Sequence, residues 1–133
     1  MRRVVVTGMG AVSPLGCGVE ANWARLIAGK SGLRQLSDNV VGELSSKVAG
    51  VVPDLTEDAE AGFDPDRAAP RKDQKKMDRF ILFALLAAEE AVKQAGWEPE
   101  DTRARERTAT VIGSGIGGFP AIAESVRLAD SRG

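Results

Sequence analysis

The chain alternates between short β-branched runs and longer segments with helical periodicity. RVVVTG (Arg3 to Gly8) is an apolar run stopped by glycine, the pattern of a buried strand. Beyond the loop GMGAVSPLGCG, Val19, Trp23, Leu26 and Ile27 recur at helical spacing, and Gly29 is placed to end the helix they predict. SKVAGVV (Ser46 to Val52) predicts a second strand. PDLTEDAEAGFDPDRAAP, rich in Asp and Pro, then reads as a loop with room for a short turn of helix. Asp73 to Ala95 predicts the longest helix. Its middle is apolar on nearly every face, charge returns at Glu89, Glu90 and Lys93, and Gly96 ends it. A helix apolar all round is expected between layers. TATVIGS (108 to 114) predicts a third strand, and Pro120 to Leu128 begins another helix. Strand and helix in alternation imply an α/β fold with a mostly parallel sheet.

Composition narrows the class. The 133 residues are 43% hydrophobic and 28% charged, with a formal net charge of -1. That describes a soluble domain or part of one, and gives no general affinity for nucleic acid, which favours strongly basic chains. The longest apolar run, Phe80 to Ala88, is well short of the roughly 20 residues that span a membrane. Met1-Arg2-Arg3 leads directly into VVVTG, with no secretory h-region. A single cysteine rules out an intramolecular disulfide, as is usual in a reducing cytosol. The chain has no histidine and no tyrosine. Within these residues that excludes a histidine base or metal ligand, a Ser-His-Asp or Cys-His arrangement, and the Tyr-Lys pair of a short-chain reductase.

Two strand-to-helix junctions are rich in glycine, VTGMGAVSPLG and VIGSGIGGFP. In the second, Gly113, Gly115 and Gly118 spell the dinucleotide-binding fingerprint G-x-G-x-x-G. The ribose-binding carboxylate expected about 20 residues later is missing after the first junction, where LIAGKSGLR offers Lys30 and Arg34 instead. The other reading is that glycine here permits tight turns or close approach of backbone. Ile116, a branched apolar residue at the tip of the second loop, then needs something to pack against: a domain, a subunit or an apolar ligand.

Cys17, between Gly16 and Gly18, lacks the base that a nucleophilic thiolate needs and reads as an incidental small residue. Six basic residues (Arg67, Arg71, Lys72, Lys75, Lys76 and Arg79) crowd the start of the long predicted helix, opposed by Asp73 and Asp78. Charge runs are commonly solvated faces. Here the helix dipole disfavours cations, while Lys72, Lys75, Lys76 and Arg79 fall at spacings of three and four. A local cation patch of this kind points to an acidic protein partner.

RRVVVTGMGAVSPLG, LIAGKSG, RKDQKKMDRFILFA, AVKQAG and VIGSGIGG, in that order, resemble the N-terminal part of the bacterial β-ketoacyl-[acyl-carrier-protein] synthases. GSGIGG and SPLG are more similar to the type II elongating enzymes, and polyketide ketosynthases share much of the pattern. The resemblance implies a thiolase-like fold with layered α-β-α-β-α architecture. Residues 1–133 would cover the early part of its N-terminal half. It also implies a cytoplasmic homodimer and, as partner, an acidic acyl carrier protein that itself carries the phosphopantetheine, with no cofactor bound by this chain. Ile116 matches the residue that gates the acyl pocket, Gly115 and Phe119 match its neighbours, and Lys72, Lys75 and Lys76 match carrier-docking positions. The implied reaction is decarboxylative condensation of an acyl chain with malonyl-carrier protein. Its cysteine nucleophile and two histidines match nothing in these residues, so no catalytic residue is expected here. An NAD(P)-dependent oxidoreductase domain and a non-catalytic chain-length partner subunit are the alternatives.

Overall fold

The computed structural model describes residues 2–132. A two-residue turn at Pro14 and Leu15 joins strands β1 (Val12–Ser13) and β2 (Gly16–Cys17) in an antiparallel hairpin, pairing Val12 with Cys17 and Ser13 with Gly16. Helix α1 (Val19–Ile27) follows, ending at Ala28 with Gly29 at φ 67° just beyond it. Strand β3 (Leu33–Gln35), a turn of helix α2 (Asp38–Val41) and strand β4 (Val48–Gly50) come next, and β4 runs antiparallel to β3. Short helices α3 (Pro65–Ala68) and α4 (Arg71–Gln74) lead into α5 (Arg79–Ala95). The chain continues through α6 (Thr102–Glu106) to α7 (Phe119–Arg132).

The core is small and lies on one face of α5. Phe63, Ala69, Leu82 and Leu86 are buried, with Val12, Cys17, Val52, Met77 and Phe83 packed around them. Phe63 meets Phe83 edge to face at 4.7 Å between ring centres, the arrangement that aromatic quadrupoles favour. The hairpin is fixed beneath this core. Cys17 N–H donates to the Ala61 carbonyl at 2.7 Å, and Arg25 on α1 reaches both the Leu15 carbonyl and the Asp58 carboxylate.

The structure corrects four expectations. The parallel sheet does not form: both two-stranded sheets among the described residues are antiparallel, and the only parallel pairing is an isolated bridge from Asp54 to Phe63. Residues 3–8 and 108–114 are in no strand, and Val4 (96%) and Val111 (92%) lie almost fully in solvent. A β-branched run records a preference for a pleated, half-buried surface, but a strand exists only where a neighbour takes its hydrogen bonds. The long helix is broken: Asp78, extended at φ -67° and ψ 153°, separates α4 and its following turn from α5. Nor is α5 buried on every face, since only Leu82 and Leu86 on it are buried and Val92 is open. The exposed area totals 10814 Å². A compact monomer of 14.0 kDa exposes about 6,700 Å², so much of the apolar surface in this chain has no cover within it.

Candidate functional site

Around the break at Asp78, five of the six cations fall into two groups. Arg71 forks onto Asp66, donating through Nε at 3.0 Å and Nη2 at 2.8 Å; with a further bond from Gln74, this holds the Asp66 carboxyl below its ordinary pKa. Arg79 lies over the rings of Phe63 and Phe83, 5.5 and 5.2 Å from their centres, and donates to the Val52 carbonyl at 3.2 Å. Both arginines are thereby committed to structure. Lys72, Lys75 and Lys76 are exposed, and none of them forms an ion pair among the described residues.

This placement overturns one step of the sequence argument. Lys75 occupies the C-cap of α4, where the backbone dipole favours a cation, and Lys76 lies in the turn after it. Of the four cations expected on one face, only Arg79 enters the first turn of α5, and it turns away onto the aromatic rings. The patch is therefore not held against a helix dipole, and its distinction is the lack of internal partners.

The second glycine junction comes to the same corner. Gly115 has open space where a side chain would stand, Ile116 is 71% exposed at the tip, Gly117 turns at φ 85°, and Phe119 is 65% exposed at the start of α7. Gly118 meets Asp78 so closely that a Cβ there would fall 1.3 Å from the carboxylate oxygen Oδ2. Lys75, Lys76, Asp78, Ile81, Gly118 and Ala121 line one open cleft of about 400 Å³. The fold thus brings the predicted lysine pair beside the root of the predicted gate loop. Lys72, Gly115 and Ile116 lie outside the cleft lining. Sequence reading missed Asp78 as the junction, because a single acid in a basic run signals nothing by itself.

The first glycine junction is built differently. A Cβ at Gly8 would fall 2.0 Å from the Ala91 carbonyl oxygen, and one at Gly10 would fall 1.8 Å from that of Ala87. Met9 N–H donates to Gln94 Oε1 at 2.6 Å, Ala11 N–H to Glu90 Oε2 at 3.0 Å, and Val19 N–H to Glu90 Oε1 at 2.8 Å. These glycines serve close approach to a helix. Cys17 lines a cavity of about 200 Å³ with Arg67, Glu89, Glu90 and Lys93. Burial pushes its thiol above its ordinary pKa, against the pull of Arg67 and Arg79, so it remains a neutral thiol. Among the described residues no cluster of metal-ligating side chains occurs, and no helix is long and apolar enough to cross a membrane.

The family described as "Beta-ketoacyl synthase, N-terminal domain" matches residues 1–132. The chain belongs to the β-ketoacyl synthase family. The 3-oxoacyl-[acyl-carrier-protein] synthase 2 of Rhizobium meliloti is 42% identical over 125 residues, covering 94% of this chain and 30% of that protein. That of Vibrio cholerae is 40% identical over 121 residues, covering 91% and 27%. The crystal structure of a beta-ketoacyl synthase from Burkholderia phymatum superposes over the whole chain with a TM-score of 0.75 at 30% identity, covering 31% of that chain. The ishigamide ketosynthase/chain length factor matches 73% of this chain and 22% of its own, with a TM-score of 0.57 at 37% identity. The chain thus spans under a third of the length of these synthases. The family match and the superposition imply the thiolase-like fold for this ketosynthase segment, whose described residues mix helix and strand.

Proposed function

We propose that this chain is the early part of the N-terminal half of a type II elongating β-ketoacyl-carrier-protein synthase. The layered α-β-α-β-α core would be completed by residues outside this sequence. In this reading the whole protein is a cytoplasmic, homodimeric acyltransferase of fatty-acid synthesis. It takes an acyl chain onto a cysteine and condenses it with the carbanion released from malonyl-carrier protein by decarboxylation. The chain contributes recognition to that reaction. Lys72, Lys75 and Lys76 receive the acidic acyl carrier protein that bears the phosphopantetheine arm. Ile116, flanked by Gly115 and Phe119, closes the acyl pocket. The nucleophile and the two histidines come from outside these residues.

The observation that carries the reading is the sorting of the cations: Arg71 and Arg79 are used internally, while the three lysines form no ion pair among the described residues. An unpaired surface cation group steers and holds an anionic partner. The test is the double charge reversal Lys75→Glu with Lys76→Glu in the full-length protein, measured as affinity for acyl carrier protein. Loss of two favourable contacts and gain of two repulsive ones should weaken binding by on the order of a hundredfold at low salt, and less as salt rises. Unchanged affinity would overturn the docking role. Replacing Ile116 with Phe should separately shorten the accepted acyl chain.

A second reading has one observation in its favour, the similarity to a ketosynthase/chain length factor. A non-catalytic chain-length subunit would share this segment and lack the nucleophile. Stoichiometric labelling of a reactive cysteine by an acyl thioester in the full-length protein separates the two. For the oxidoreductase alternative, the segment before Gly113 pairs in no sheet, so the strand that gives the glycine fingerprint its context is not formed.

A further inference from the structure

We infer that Asp78 is a positioning residue that ties the Lys75–Lys76 corner to the loop bearing Ile116, so that an acidic partner seated on the lysines is felt at the loop tip. The inference rests on the docking and gating roles proposed above and adds the link between them.

The link has three parts. Asp78 follows Lys76 by two residues, after the turn that continues α4, and is the N-cap residue from which α5 starts. Its carboxylate lies against the backbone of Gly118, in space that any side chain at 118 would need. Gly118 is also where α7 begins: its carbonyl accepts from Ile122 N–H at 3.0 Å, Phe119 is the first helical residue, and the first turn of α7 holds no acid of its own. A helix N-terminus attracts negative charge, and Asp78 supplies it from another element. One carboxylate therefore sits among three claims: the positive end of α5, which it precedes, the positive end of α7, and the lysines beside it in the same cleft.

Arrival of an anionic partner changes that balance. Its carboxylates occupy the field of Lys75 and Lys76 and repel Asp78, whose side chain has the Gly118 backbone directly in its way. The charge moves toward α7 only by moving Gly118, and Gly117 at φ 85° is the flexible turn through which that shift reaches Ile116. The other loop glycines are open: Gly113, Gly115 and Gly117 have nothing within 4 Å of where a Cβ would stand. The Asp78 contact is the one close approach found at these glycines.

The test uses the full-length protein and compares two ways of delivering the same acyl chains: on acyl carrier protein, which engages the lysines, and on a small N-acetylcysteamine thioester, which does not. The readout is the ratio of kcat/KM for a long chain to that for a medium chain. In the unmodified protein the two deliveries should give ratios that differ by at least about fivefold, the lower range of ordinary allosteric coupling. Asp78→Asn, which keeps the size and removes the charge, should bring the two ratios together while KM for the carrier stays within about twofold, as expected for coupling lost without loss of docking. Asp78→Glu should retain much of the difference. Gly118→Ala, which displaces the carboxylate from the other side, should abolish it and guards against a folding defect in the Asp78 variants. Equal ratios in the unmodified protein, or a difference that survives both Asp78→Asn and Gly118→Ala, would overturn the link. If instead the Lys75/Lys76 reversal leaves carrier KM unchanged, it is the docking role that fails, so the two failures are told apart.

Discussion

The two glycine-rich junctions look alike in sequence, each a β-branched run that breaks into closely spaced glycines before a helix, yet they are opposite in structure. In the first, Gly8 and Gly10 lie flush against α5, and Met9, Ala11 and Val19 give their N–H groups to Gln94 and Glu90 on that helix. In the second, three of four glycines face open space and only Gly118 touches another element. Glycine therefore does two jobs here. In one it removes a side chain so that backbone can lie on backbone. In the other it leaves a loop free to be set by a single contact. Rigidity at the first junction holds α1 and the hairpin in place, and freedom at the second fits the responsive loop proposed above.

The largest expected effect breaks the first junction. Gly10→Val places a branched side chain where the Ala87 carbonyl oxygen already stands, and neither partner is a flexible side-chain end. Overpacking against backbone costs about 3 kcal/mol or more, enough to separate residues 8–11 from α5. Urea unfolding should show the loss, and a change under about 1 kcal/mol would mean that the approach is not tight.

How much of this was legible beforehand follows the same division. Helix α1 and the stop at Gly29, the long helix ending at Gly96, and α7 were readable because helical periodicity and glycine caps are local signals. The strands at 3–8 and 108–114 were misjudged because pairing depends on a distant neighbour, and the apolar pattern specifies burial without naming the partner. The break at Asp78 was hidden by the surrounding helix formers. At the candidate site, Lys75, Lys76 and Ile116 were singled out by the charge run and by an apolar tip in a glycine loop, and the resemblance added the roles proposed for them. Glu90 and Asp78 were not, since a carboxylate that caps another element's N–H groups or lies against its backbone looks in sequence like any surface acid.

Glu90 is the next test of the contrast. Glu90→Ala orphans two N–H groups, Ala11 and Val19, and removes the negative charge from the N-terminus of α1, where Gly18 supplies no side-chain cap. Losing two charge-assisted bonds in a half-buried setting should cost about 2 kcal/mol in the same urea measurement, with Glu90→Gln recovering about half. Acid probes the other tie of this region. The Arg25 bond, aided by the N–H groups of Ala61 and Glu60, lowers the Asp58 pKa from 3.8 to about 2. A carboxylate with a depressed folded pKa stabilises above its unfolded value, and that contribution fades as pH falls from about 4 through about 2. Asp58→Asn should therefore flatten the acid limb of the stability curve and leave its shape above pH 5 unchanged. A limb as steep as before would mean that other carboxylates set it.

The smallest effects belong to the second junction, and their smallness is the point. Gly115→Ala puts a methyl group into open space at a residue whose φ is not positive, so stability should shift by no more than about 0.5 kcal/mol. Gly117→Ala meets no atoms either, but at φ 85° an L side chain is strained, and the cost should be about 1 kcal/mol. The order Gly10 far above Gly117, and Gly117 above Gly115, separates steric contact from backbone conformation from neither. Should Gly115→Ala prove as costly as Gly10→Val, the second loop is packed against something in the full-length protein, and its freedom belongs to this segment alone. That result would place the loop at an interface and make Ile116 a contact residue there. A near-neutral Gly115→Ala in the full-length protein would instead mean that the loop keeps its room to move after every other residue is in place, as a gate requires.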